Sequence, residues 1–109
     1  DDALLARTSM MRRAISESDY RHYRGTDFDG CWVVVVAESV GVNEWLQRFQ
    51  ICDGQVVLGH GRSTHLTQFS GRQEVFLCGG ELRMQEDGRL ARIGRSGKTL
   101  EFTRAPVAH

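Results

Sequence analysis

The sequence predicts a mostly β protein: an N-terminal α-helix, then an antiparallel meander of about eight short strands forming a small closed or partly open barrel. Three observations carry this. From Gly30 onward apolar residues recur with a period of two. Turn dipeptides recur at strand-length spacing: Asp53-Gly54, Gly71-Arg72, Gly79-Gly80, Asp87-Gly88 and Ser96-Gly97. Finally, 109 residues with 40% hydrophobic content suit one domain (1–109) with one core, and the single proline argues against disorder.

The N-terminal region, residues 1–20, reads as a helix over about 2–17. Leu4, Leu5, Met11 and Ile15 form a partial stripe among good helix formers. Residues 20–29 read as a polar connector. The barrel then spans 30–104, with strands at 31–38, 44–52, 55–59, 65–70, 73–78, 81–86, 89–94 and 98–104.

A two-residue turn fixes which residues lie opposite, and opposite residues share a face. Asp-Gly favours a type I′ turn, with φ > 0 at both central positions. Asp53-Gly54 places Ile51 opposite Val56 and Phe49 opposite Leu58. Gly79-Gly80 places Leu77 opposite Leu82, and Val75 opposite Met84. Asp87-Gly88 sets Met84 against Ala91 and Leu82 against Ile93. Ser96-Gly97 sets Ile93 against Leu100 and Ala91 against Phe102. A first hairpin centred between Gly41 and Val42 sets Trp32, Val34 and Val36 against Ile51, Phe49 and Gln47. The predicted interior is then Trp32, Val34, Val36, Trp45, Phe49, Ile51, Val56, Leu58, Leu66, Val75, Leu77, Leu82, Met84, Ala91, Ile93, Leu100 and Phe102.

The same register leaves an apolar remainder outside: Cys31, Val33, Val35, Ala37, Leu46, Cys52, Phe76 and Cys78, with Val57, Phe69 and Leu90 as possible additions. A bare contiguous apolar patch is unusual on a soluble monomer. Two covers are available: the N-terminal helix, or a second copy in an isologous dimer. Val33, Val35, Leu46 and Phe76 are therefore the candidate partner interface. Cys31 and Cys52 fall opposite each other, so they either bridge as a cross-strand disulfide or remain two buried thiols. Cys78 is read as a strand end.

The segment Gly59–His65, GHGRSTH, is the loop with chemistry to offer: backbone N–H groups and a guanidinium suited to an anion. Trp45 sits near the same end, so Trp45, His60, Arg62 and His65, with Arg48 nearby, form the candidate ligand site. No Cys or His spacing matches a structural zinc site, and neither metal nor cofactor is expected. Ser63, Ser70, His65 and Asp53 lack the sequence context of a nucleophile triad. Net charge is zero, which gives no global reason to expect nucleic acid. One local basic excess, Arg83, Arg89, Arg92, Arg95, Lys98 and Arg104, stands against Glu86, Asp87 and Glu101. No run approaches the roughly 20 apolar residues of a membrane helix. The compartment stays open between cytoplasm and a secreted, processed form.

Phe28 followed by Gly30-Cys31-Trp32 at the head of the first strand resembles the Gly-x-Trp opening of lipocalins and fatty-acid-binding proteins, the calycin barrels. The resemblance runs from Phe28 to Arg104. It implies that Trp32 plugs one barrel end against an arginine from the last strand, for which Arg104, after LEFT, is the candidate. The layout is also similar to small bacterial calycin-like proteins, among them a negative regulator of type III secretion that binds a partner protein. The β region is shorter than a lipocalin's, so the resemblance implies partner binding rather than ligand carriage.

The expectation is a non-enzymatic small β-barrel interaction module, acting through a protein partner or self-association. Two alternatives stand beside it: a small hydrolase or isomerase using His60 or His65, and a single-stranded nucleic-acid binder using the Arg83–Arg104 cluster.

Overall fold

A computed structural model describes residues 20–35 and 42–106. The expected helix over 2–17, and Val36 and Ala37 of the expected first strand, lie outside those residues. The described chain forms β1 (Tyr20–His22), β2 (Gly30–Val34), a short helix α1 (Glu44–Gln47), β3 (Arg48–Cys52), β4 (Gln55–Leu58), β5 (Ser63–His65), β6 (Thr67–Phe69), β7 (Val75–Leu77), β8 (Gly80–Met84), β9 (Leu90–Ile93) and β10 (Thr99–Arg104). These ten strands make one antiparallel sheet in the order β1-β6-β7-β8-β9-β10-β2-β3-β4-β5, curled into a nearly closed barrel. Among the described residues no helix is long and apolar enough to cross a membrane.

The chain itself closes the barrel. β5 and β6 belong near opposite ends of the strand order, yet only Leu66 separates them. Ser63–Phe69 is thus one bent strand, pairing with β4 through its first half and with β7 through its second. Leu66 N–H donates to Gly54 O (2.7 Å), and Leu66 O accepts from Tyr23 N–H (2.8 Å). Where the β3–β4 turn ends, β1 takes over the same edge of the bent strand, with His22 opposite Thr67 and Tyr20 opposite Phe69. Gly54, at φ +80°, permits this butt joint: a Cβ there would fall on the Tyr23 carbonyl oxygen. Residues 20–22, expected as connector, are therefore strand.

The Asp53-Gly54 hairpin has the expected register, Ile51 opposite Val56 and Phe49 opposite Leu58. Its central φ values are both positive, 49° and 80°, as a type I′ turn requires. Other turns differ. The β7–β8 turn is centred on Cys78-Gly79 (φ 49° and 83°), one residue earlier than expected. That pairs Leu77 with Gly80 and Val75 with Leu82, a slip of two that keeps each side chain on its face. The turn at Gly71 is closed by Arg72 N–H to Phe69 O (3.0 Å), so its centre is Ser70-Gly71 rather than Gly71-Arg72.

The β8–β9 and β9–β10 connections are three-residue loops, not two-residue turns. Gln85 N–H bonds Arg89 O across 86–88, and Gly94 N–H bonds Lys98 O across 95–97. Gly88 and Gly97 hold the positive φ at the end of each loop, the geometry of a type I turn with a glycine bulge. Each loop slips the register by one, and the slips cancel across β9. Only β9 is reversed: Leu90, opposite Met84 and Phe102, fills the interior, while Ala91 and Ile93 leave the predicted inner set. Met84 reaches the inner row only at its end and is 40% exposed.

The first hairpin also slips by two. Trp32 pairs with Phe49 and Gly30 with Ile51, so Cys31 lies opposite Gln50, not Cys52. The expected cross-strand cysteine pair is therefore absent from the register, and Cys31, Cys52 and Cys78 are free thiols. Residues 44–47, expected to open β3, coil instead into one helical turn, and the strand begins at Arg48.

Trp32, Val56, Leu66, Leu77, Leu90 and Phe102 have no exposed surface. Phe49 and Phe102 meet edge to face at 4.9 Å between centroids, the arrangement ring quadrupoles favour.

Candidate functional site

The loop end comes first. α1 puts Trp45 half-buried against the core, and Trp45 O accepts from Gly59 N–H (3.1 Å). The Trp45 and His60 rings lie nearly parallel, 6.4 Å apart. His60 Nδ1 accepts from Arg62 N–H at 3.3 Å, which ties that imidazole to its own loop. Trp45 and His60 thus lie side by side, the Arg62 backbone bonds His60, and Arg48 opens the strand that follows α1. His65 does not join them. It ends β5, opposite Gln55 at the far end of β4, and its ring lies against His22, tilted by 46° at 4.4 Å between centroids. Among the described residues no group of three or more His, Cys, Asp or Glu is placed to hold a metal.

The expected interface divides. Leu46 is a correction: it is only 4% exposed, turned into the core by α1. Val33 and Val35 point outward half-buried, but Val33 is flanked by Arg48 on β3 and Thr103 on β10. Cys31 is flanked by Gln50, with exposed Val57 beyond. The outer face of β2 is thus apolar along its own strand and interrupted by polar neighbours across the sheet.

Phe76 belongs to a different surface. β1, β6 and β7 lie side by side, pairing Tyr20 with Phe69 and Thr67 with Phe76. Alternation puts all four outside, since Val75 and Leu77 face in. Tyr20, Thr67, Phe69, Phe76, Gly79 and Arg95 line a groove of about 320 Å³. Phe69 and Phe76 meet edge to face at 5.4 Å, and Tyr20 remains 46% exposed. Gly79 offers no side chain, and Arg95 lies alongside it, its Nε 3.8 Å from where a Cβ would stand. The row of rings continues from Tyr20 to His22 (6.2 Å) and on to His65.

Outward alternation in the sequence singles out Phe76 and Phe69. It misses Tyr20, because a three-residue strand carries no period. It misses Arg95 because that residue sits in a turn.

The basic cluster is largely engaged within the fold. Arg83 pairs with Glu81, and Arg89 with Glu101 (3.2 Å) and Asp87 (3.8 Å). Arg92 extends along the inner row and donates to Leu77 O (2.9 Å) and Cys78 O (2.8 Å), passing so close to Gly80 that a Cβ there would sit 2.5 Å from its guanidinium. Burial pushes the Arg92 guanidinium below its ordinary range, with Cys78 opposing. The Cys78 thiol is pushed up by burial, with Arg92 opposing. Arg104 donates to Asp29 O (2.8 Å). Among the described residues Arg95 and Lys98 have neither an ion pair nor a side-chain hydrogen bond.

Comparison with protein-family models, with curated proteins and with solved structures finds no match to this chain.

Proposed function

We propose that this chain is a non-catalytic interaction module, a filled β-barrel that presents the Tyr20–Phe69–Phe76 groove to a protein partner. The observation that carries this reading is the groove itself: three aromatic rings gathered on the outside of a barrel whose inward side chains are buried against one another. Exposed aromatic clusters are where protein interfaces concentrate their binding free energy. The Arg104 guanidinium carbon, 4.5 Å from the Trp32 ring centroid, supports the calycin-like resemblance and, with it, partner binding.

Catalysis draws less support. His60 is held by its own loop and His65 lies against His22, and among the described residues neither bonds a carboxylate or a nucleophile. Nucleic-acid binding by the Arg83–Arg104 cluster is weakened because most of its guanidinium groups already have partners within the fold.

Photocrosslinking tests the proposal. A benzoylphenylalanine at position 76 should give an adduct in cells, whereas the same probe at the exposed Val57 should not. The adduct mass separates a second copy of this chain from a different protein. Equal labelling at both positions, or none at 76, overturns the reading.

A further inference from the structure

Given that groove as the contact surface, we propose that its partner is an acidic peptide segment: an aromatic or aliphatic anchor flanked by carboxylates. The groove has two chemically distinct sides. Tyr20, Phe69 and Phe76 offer ring surface to an apolar side chain, and Thr67 and Gly79 leave the floor open. At about 320 Å³ it sits near the lower limit of ligand pockets (~300 Å³), enough for one anchoring side chain with its neighbours outside.

Arg95 places a cation on the rim. Arg95 lines the groove, and Lys98 follows three residues on in the same connection, closed by Gly94 N–H to Lys98 O. Neither has an acidic partner among the described residues. The carboxylate paired in register with Phe76 is Glu81, which is held by Arg83. Among the described residues no Asp or Glu lines the groove.

An anchor inserted between the rings brings its flanking residues to this rim, since an extended chain advances ~3.3 Å per residue. A carboxylate there meets the Arg95 guanidinium, which has no acidic partner among the described residues, and can form a charge-assisted pair with it. A basic flank would set like charges together, and a neutral one would leave Arg95 to water. Charge thus selects among partners that the rings alone would accept equally.

The experiment is a selection of phage-displayed random dodecapeptides on the immobilised full chain, counter-selected against Phe76→Ser. Selected peptides are then synthesised and titrated by fluorescence anisotropy. The expected winners carry Phe, Trp or Leu beside at least two Asp or Glu. Their affinity should fall by about tenfold or more in Arg95→Glu, and weaken with added salt. Tyr20→Ser, at an exposed position, repeats the Phe76 test without touching the core. Peptides that need Phe76 and Tyr20 yet show no acidic bias, and bind Arg95→Glu equally well, overturn the acidic partner while leaving the contact surface standing. If no peptide distinguishes the wild type from either groove variant, the contact surface fails and this inference falls with it.

Discussion

Arg104 lies over Trp32: its guanidinium carbon is 4.5 Å from the ring centroid, and the two residues are paired across β10 and β2. The indole is held from below as well, its Nε1 donating to Phe28 O at 2.9 Å. Gly30 makes room for this stack. It sits at φ +142°, and a Cβ on it would stand 2.5 Å from Arg104 Nη1. The Gly-x-Trp spacing and the distant arginine are therefore one steric unit. Arg104→Ala loses the cation–π contact and the hydrogen bond to Asp29 O, and is expected to cost about 1–3 kcal/mol in urea denaturation. Gly30→Ala should destabilise too, and the Gly30→Ala, Arg104→Ala pair should be less than additive because the clash disappears. Additive costs would contradict the stack.

The reversed strand makes a second prediction. Leu90 is fully buried and Ile93 only partly so. Leu90→Ala should cost about 2–5 kcal/mol, as truncations of buried leucines do, and Ile93→Ala should cost clearly less. The opposite ranking in denaturant midpoints would restore the two-residue turns and put β9 the other way round.

Alkaline pH gives a third. Burial, and then Asp27, whose Oδ2 accepts from the Tyr23 hydroxyl at 3.2 Å, raise the Tyr23 phenol above its ordinary value near 10. The folded state thus favours the neutral phenol. Its contribution is fully present below the unfolded value and is lost as pH rises through the higher folded one. Tyr23→Phe should remove that part of the alkaline loss while leaving the neutral-pH profile parallel. Identical alkaline limbs in the two proteins would contradict the assignment.

Much of this fold was legible because sidedness is a local property. A strand shows its two faces in its own sequence, so Phe49, Ile51, Val56, Leu77 and Phe102 could be placed inside without knowing their partners. Register is not local. Cys78-Gly79 and Gly79-Gly80 are equally plausible turns on composition, and an Asp-Gly or Ser-Gly pair serves a two-residue turn or the end of a three-residue loop. Those ambiguities reversed β9 and slipped β8 against β7; the first hairpin, with no turn dipeptide to fix it, slipped too and separated Cys31 from Cys52. Tertiary context overrode pattern at Leu46, where alternation within an assumed strand pointed outward and a single helical turn points inward. Of the groove, Phe76 and Phe69 were visible as outward aromatics. Their meeting with Tyr20 and Arg95 depends on β1 docking beside β6, a contact between residues far apart in sequence that no window of the chain contains.

The central claim is that neighbouring residues of β7 divide the labour, Leu77 buried in the interior and Phe76 lining an outer groove. Urea denaturation of Phe76→Ala and Leu77→Ala, measured side by side, tests this directly. The account predicts a loss of about 2–5 kcal/mol for Leu77→Ala and less than half of that for Phe76→Ala. Equal losses, or a larger one at Phe76, would contradict it.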